Sequence, residues 1–70
     1  MDNDYGLMEK VKFFFDNRIS VHIVTNRKSF FNGLIIEFFN NSFVINDRLY
    51  GETPISFSEL IKIERFKEIK

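Results

Sequence analysis

The chain lacks cysteine and tryptophan altogether and has only one histidine, one proline and three glycines in 70 residues. Without cysteine it can form neither a disulfide nor a thiolate metal site. One histidine argues against a histidine-based zinc site within a single chain. The glycines are scattered at Gly6, Gly33 and Gly51, so there is no glycine-rich phosphate loop. Charge of one sign is also missing: ten Lys and Arg balance ten Asp and Glu. No global positive field draws in nucleic acid, and any such binding must come from a local patch. No stretch reaches the roughly 18 apolar residues of a membrane span. The start, MDNDYG, is acidic, the reverse of a signal peptide, and a cytoplasmic location is expected. Ser20, Ser42, Ser56 and Ser58 have no histidine nearby in sequence, and Glu52, Glu59 and Glu64 form no recognisable dyad. Neither an enzyme activity nor a cofactor is expected.

What the chain does have is phenylalanine. Ten Phe and two Tyr make up its 17% aromatic content. Phe brings buried area with no polar group to satisfy. A chain of this length makes one domain at most and buries only about 60% of its unfolded surface. Small domains usually need a staple. With disulfides and metal set aside, self-association is the expected supplement.

Hydrophobic periodicity divides the chain. Leu7, Met8, Val11, Phe14 and Phe15 recur at helical spacing, which predicts an amphipathic helix over about 4–16. Asp2, Asn3 and Asp4 are suitable N-caps, Phe13 falls outside the stripe, and Asn17 suits a left-handed cap. Beyond it the pattern is strand and turn, with strands expected at about 19–25, 30–39, 43–48, 54–57 and 60–66. The second is apolar at nearly every position, so both of its faces are expected to be covered. Residues 51–54 read as a loop, and Pro54 suits the start of an edge strand. For 58–67 a helix capped by Ser58 is the alternative, but Ile61 and Ile63 alternate with Lys62 and Glu64, which favours a strand. The tail from Lys67 is polar and expected to fray.

A helix followed by five short strands predicts a mainly β fold, a small, strongly bent antiparallel barrel with the helix on one open side. Gly33 can supply the kink that a sharply closing sheet needs. In this arrangement Phe31-Asn32-Gly33-Leu34-Ile35, the Asn40-Asn41-Ser42 turn into Phe43-Val44-Ile45, and the run from Pro54 to Ile63 resemble the Sm-like family. The resemblance covers nearly the whole chain, as one Sm-like domain over 1–70, and rests mostly on fold-determining apolar positions. It looks like a small divergent member, of the kind also met in phage and metagenomic sequences.

That resemblance implies a homo-oligomeric ring in which the fourth strand of one subunit pairs with the fifth of its neighbour, so that neither edge stays open. It also implies single-stranded RNA at the ring pore. Asn40 or Asn41 would contact a base edge and Phe39 would stack on one. The family's Arg-Gly pair is absent. Ser58-Glu59 stands in its place, and Glu59 would repel phosphate if it faced the pore.

Other candidates come from the residues themselves. Arg27 and Lys28 lie beside Phe30 and Phe31, a basic and aromatic mixture suited to single strands, and Arg48 and Tyr50 could extend that patch. Each has a plain alternative: Asn40-Asn41-Ser42 is good turn chemistry, Arg27-Lys28 suits a solvated hairpin, and Lys10, Lys12 and Arg18, with Glu9 and Asp16 among them, suit a solvated helix face. His22 could titrate near neutral pH or simply sit at the surface. The leading expectation is RNA binding by the ring, and the rival is a protein–protein assembly module on the same scaffold, with an unidentified protein partner.

Overall fold

The computed structural model of the chain describes residues 3–67. The N-cap side chains expected among Asp2, Asn3 and Asp4, and the tail Glu68-Ile69-Lys70, lie outside that description. The element order is a helix α1 (Asn3–Asp16), strands β1 (Val21–Thr25), β2 (Phe30–Phe38), β3 (Ser42–Asp47) and β4 (Gly51–Ser56), a single 3-10 turn (Phe57–Glu59), and β5 (Leu60–Arg65).

The helix forms as its apolar stripe dictates. Val11 is wholly buried, Leu7, Met8, Phe14 and Phe15 pack around it, and Phe13 is exposed. Its end differs from expectation by one residue. Asn17 Nδ2 donates to Phe13 O at 2.8 Å. The left-handed position passes to Arg18, with φ 54°. Ile19 N then donates to Phe14 O at 3.0 Å and Arg18 N to Phe15 O at 3.3 Å. This pair of bonds is the Schellman closure.

The strands form one antiparallel sheet in the order β4-β3-β2-β1-β5. The sheet is bent but not closed: β4 and β5 are its two edges and do not pair with each other. Bending still brings Thr25, at the end of β1, to line one depression with Ile55 of β4. The long strand β2 serves two partners. Phe30 to Gly33 pair with β1, and Gly33 to Phe38 pair with β3. Gly33 is the position where it changes partner. A Cβ there would overlap the Asn46 carbonyl oxygen and lie 2.9 Å from its carbon. The glycine is therefore required by close approach of β3. The ladder with β3 also shifts register between Ile35 and Glu37, the local signature of a bulge.

The structure corrects three expectations. First, β2 is covered on one face only. Phe31, Gly33 and Ile35 turn toward the core, while Phe30 is 60% exposed and Leu34 and Ile36 are more than a third exposed. The helix packs on β2, β5 and the 3-10 turn, and its apolar residues meet Phe38 on the core side rather than the outer face. Second, residues 51–54 belong to β4, and Pro54 sits inside that strand opposite Val44. The turn shortens to Arg48-Leu49-Tyr50 because Asp47 holds it. Asp47 Oδ2 accepts from Leu49 N at 2.9 Å and Tyr50 N at 3.0 Å, and Oδ1 accepts from Asn32 N at 2.8 Å. Third, Ile61 is exposed. The ladder between β1 and β5 passes from Val24–Lys62 to Thr25–Leu60, so Ile61 is the extra residue of a bulge. Leu60 and Ile63 both reach the core. The strand reading of this stretch prevails over the helical one, which survives only as the 3-10 turn.

Val11, Val21, Ile23, Ile35, Phe43, Ile45, Ile55, Phe57, Leu60 and Ile63 form the core. Full burial of such side chains contributes roughly 1.5–3 kcal/mol each before the entropy cost. A run of rings ties helix to sheet: Phe15 stacks on Phe38 at 6.0 Å, Phe38 meets Phe57 edge-on at 5.7 Å, and Phe57 lies 5.2 Å from Phe43.

Candidate functional site

The site is organised by the 3-10 turn between β4 and β5. Ser56 caps it, with its Oγ accepting from Ser58 N at 3.3 Å. Glu59 reaches back, and its Oε2 accepts from Ser56 N at 3.0 Å. These two bonds form a capping box, which satisfies donors that a short turn would leave open. The turn is also bonded on both flanks. Phe57 N donates to Asn41 O at 3.0 Å, and Asn26 N donates to Glu59 O at 2.8 Å. The β2–β3 loop is thereby fastened to one side and the β1–β2 hairpin to the other.

Asn40 and Asn41 are exposed and line a depression of about 360 Å³ with Met8, Ser56, Phe57 and Ser58. Phe39 is half exposed, with its N–H donating to Ser42 O at 2.8 Å. Here the amides and one aromatic ring meet hydroxyls and no lining cation. Arg27 is elsewhere. It lines a separate depression of about 170 Å³ with Ser29, Phe31, Thr53, Pro54, Ile55 and Glu59. Lys28 turns the hairpin with φ 62° and is exposed. Within one chain, the structure therefore keeps Phe39, Asn40 and Asn41 together and places Arg27 and Lys28 across the 3-10 turn from them. Glu59 does not hang free at the turn, since its carboxylate is committed to Ser56 N–H, but it remains an anion beside Arg27.

The helix face offers less positive charge than its sequence suggests. Lys12 pairs with Asp16 at 3.1 Å and lies 5.9 Å from the Phe38 ring centroid. An exposed pair of this kind contributes little to stability, but it halves the basic content of that face.

Two features were not put together from the sequence. His22 Nδ1 donates to Asn32 Oδ1 at 2.6 Å, and the His22 ring stacks on exposed Phe30 at 5.8 Å. Beside them a depression of about 400 Å³ is lined by His22 and Glu64 to Lys67. Pairing of His22 with Asn32 across the hairpin puts them on one outer face. That register follows from the length of the Asn26–Ser29 turn and could have been counted. The second feature is the tip of the β3–β4 turn, where Leu49 and Tyr50 are 85% and 72% exposed. Tyr50 touches Phe31 edge-on at 6.4 Å, and the Arg48 guanidinium lies 4.5 Å from the Phe66 ring centroid. Among the described residues no cluster of three or more metal-ligating side chains occurs, and no helix is long and apolar enough to cross a membrane.

No family model matches the chain. Nor does any curated protein show similarity to it. Its fold, however, is similar to that of a solved structure, the 1.55 Å crystal structure of Hfq, described as a pleiotropic translational regulator. The TM-score is 0.69 over 79% of this chain and 90% of that one, at 14% identity. The chain thus has an Sm-like fold: an N-terminal helix followed by five antiparallel strands, mainly β.

Proposed function

We propose that the chain assembles into a homo-oligomeric ring through β4 and β5 and binds single-stranded RNA. The observation that carries this reading is the Sm-like fold with both sheet edges unpaired, shared with a translational regulator. An open edge with a hydrophobic core behind it is a ready template for another strand. The ring also supplies the extra burial that a chain of this size needs.

RNA would be held in two ways. The exposed amides of Asn40 and Asn41 would bond base edges, and Phe39 would offer a stacking surface. Arg27 and Lys28, on the other side of the 3-10 turn, would contact phosphates. Ring symmetry repeats each weak contact around the assembly, so modest contacts per subunit sum to useful avidity. A second reading has its own support. Leu49 is 85% exposed on a turn that Asp47 holds in place. A fixed, exposed apolar tip suits a protein partner.

Fluorescence anisotropy with short oligo-U and oligo-A, at low and physiological salt, tests the first reading on protein whose mass is known from light scattering. Micromolar or tighter binding is expected. Asn41→Ala should weaken it about tenfold, the loss of one hydrogen bond or slightly more. Arg27→Ala should flatten the salt dependence by about 0.7 in log–log slope for each phosphate contact removed. An intact ring that binds neither RNA would transfer the assignment to the protein-assembly reading.

A further inference from the structure

We infer that the free edge of β4 is built to refuse a second β4 and to accept only a donor-rich edge, which this chain supplies on β5 of another copy. This rests on the ring reading above and adds a direction to it.

The argument follows from backbone alternation. In an antiparallel ladder, successive residues point their N–H and C=O alternately toward and away from the partner strand. Phe57 N donates to Asn41 O at one end of the β3–β4 ladder. With the observed register, Ile55, Thr53 and Gly51 therefore bond to β3, and Ser56, Pro54 and Glu52 face the open edge. Two of those three positions offer no donor. Pro54 has no N–H. Ser56 N–H is taken by Glu59 Oε2 at 3.0 Å. The β4 edge thus presents the carbonyls of Glu52, Pro54 and Ser56 with Glu52 N–H as its donor.

Two such edges cannot satisfy each other. A symmetric β4–β4 pair centred on Pro54 would keep only the bonds donated by Glu52. The β5 edge is different. Phe66 N donates to Ser20 O at 2.9 Å. By the same alternation Glu64 and Lys62 bond to β1, while Ile63 and Arg65 turn both N–H and C=O outward. Those two donors match the β4 carbonyls, and Glu52 N–H finds an acceptor in return. Exposed Glu52 and Arg65 add opposite charge to the two edges. A contact between two different edges is heterologous, and such contacts generate rings when the rotation closes. Glu59 and Pro54 thereby remove the isologous dimer that would compete with it.

Absence of cysteine makes cross-linking a clean test. Glu52→Cys and Arg65→Cys are both surface changes. After mild oxidation neither variant alone should give a covalent dimer, and a mixture of the two should. A dimer from Glu52→Cys alone overturns the inference. Adding Pro54→Ala and Glu59→Ala to Glu52→Cys restores two β4 donors, and self-linked dimer should rise about tenfold. Replacing Glu59 by Gln instead of Ala keeps an oxygen for Ser56 N–H and should suppress that rise. Circular dichroism confirms that each variant is folded. The native mass of the unsubstituted protein reads the ring separately. A ring with no self-linking in the unblocked variant sinks this inference alone. A single-chain mass sinks the ring and leaves the β4 self-linking arm to decide.

Discussion

Asp47 is among the few polar side chains buried in this molecule, and it is fully employed. Burial pushes its carboxyl pKa up, but the N–H groups of Asn32, Tyr50 and Leu49 favour the charged form more strongly, and the net result lies below the ordinary carboxylate value. A carboxyl whose folded pKa is depressed contributes stability that is complete above its unfolded pKa, about 3.9. That contribution is lost as pH falls through the folded pKa. Asp47→Ala should therefore cost about 2–3 kcal/mol at neutral pH in a denaturant titration. The difference from the unsubstituted protein should narrow below about pH 4. A difference that stayed constant from pH 7 to pH 2 would show that the carboxylate's charge plays no part. Glu59 acts on the same pattern as Asp47. In both, a carboxylate holds backbone donors in a tight turn, and the turn fixes where neighbouring exposed residues stand.

Arg18 at the end of α1 spends conformational energy that a glycine would not. A non-glycine residue in the left-handed region is disfavoured by roughly 1–2 kcal/mol, partly offset by the greater freedom of glycine in the unfolded chain. Arg18→Gly should raise the melting temperature by about 4–8 °C, equivalent to about 1 kcal/mol in a domain of this size. A lower melting temperature would mean that the Arg18 side chain itself stabilises the cap. The helix and the hairpin strands were legible because their signal is periodic: Val11 with Phe14 and Phe15, and Val21 with Ile23, are repeats that can be counted. The bulge at Ile61 was not, because Lys62–Ile63–Glu64 alternates correctly and nothing local marks the extra residue before it. Assigning 51–54 to a loop failed for a related reason. Gly-Glu-Thr-Pro reads as a turn, but the turn is set by Asp47, whose third bond goes to Asn32 in another strand. The candidate site was legible as residue types and not as geometry. Asn40-Asn41 and Arg27-Lys28 look alike in sequence, and only the bonds from Asn41 and Asn26 to the 3-10 turn show that they lie on opposite sides of it.

The whole molecule is a sheet with two unlike rims and a helix seated on its core side. If β5 supplies the donors of the assembled state, then removing its outward N–H should dissolve the assembly and spare the fold. Arg65→Pro does this, because Arg65 faces away from β1 and its loss leaves that ladder intact. The mass by light scattering should fall to that of one chain with an unchanged circular dichroism spectrum. A persistent ring would exclude β5 as the outer partner. A proline at Ile63 would be a poorer choice, since it also deletes a core side chain.

The strand order carries a consequence in time. β1, β2, β3 and β4 are joined in succession by short turns, so each pairing closes a small loop. β5 alone must travel back past all of them to reach β1, joining Val21 to Arg65. Contacts between distant parts of a chain pay the largest closure entropy and form late. The rim that would receive a neighbouring subunit is therefore the last part of the monomer to come into existence. A newly made chain has nothing for a neighbour to grip until it has finished folding, and a half-folded one cannot enter the assembly from that side.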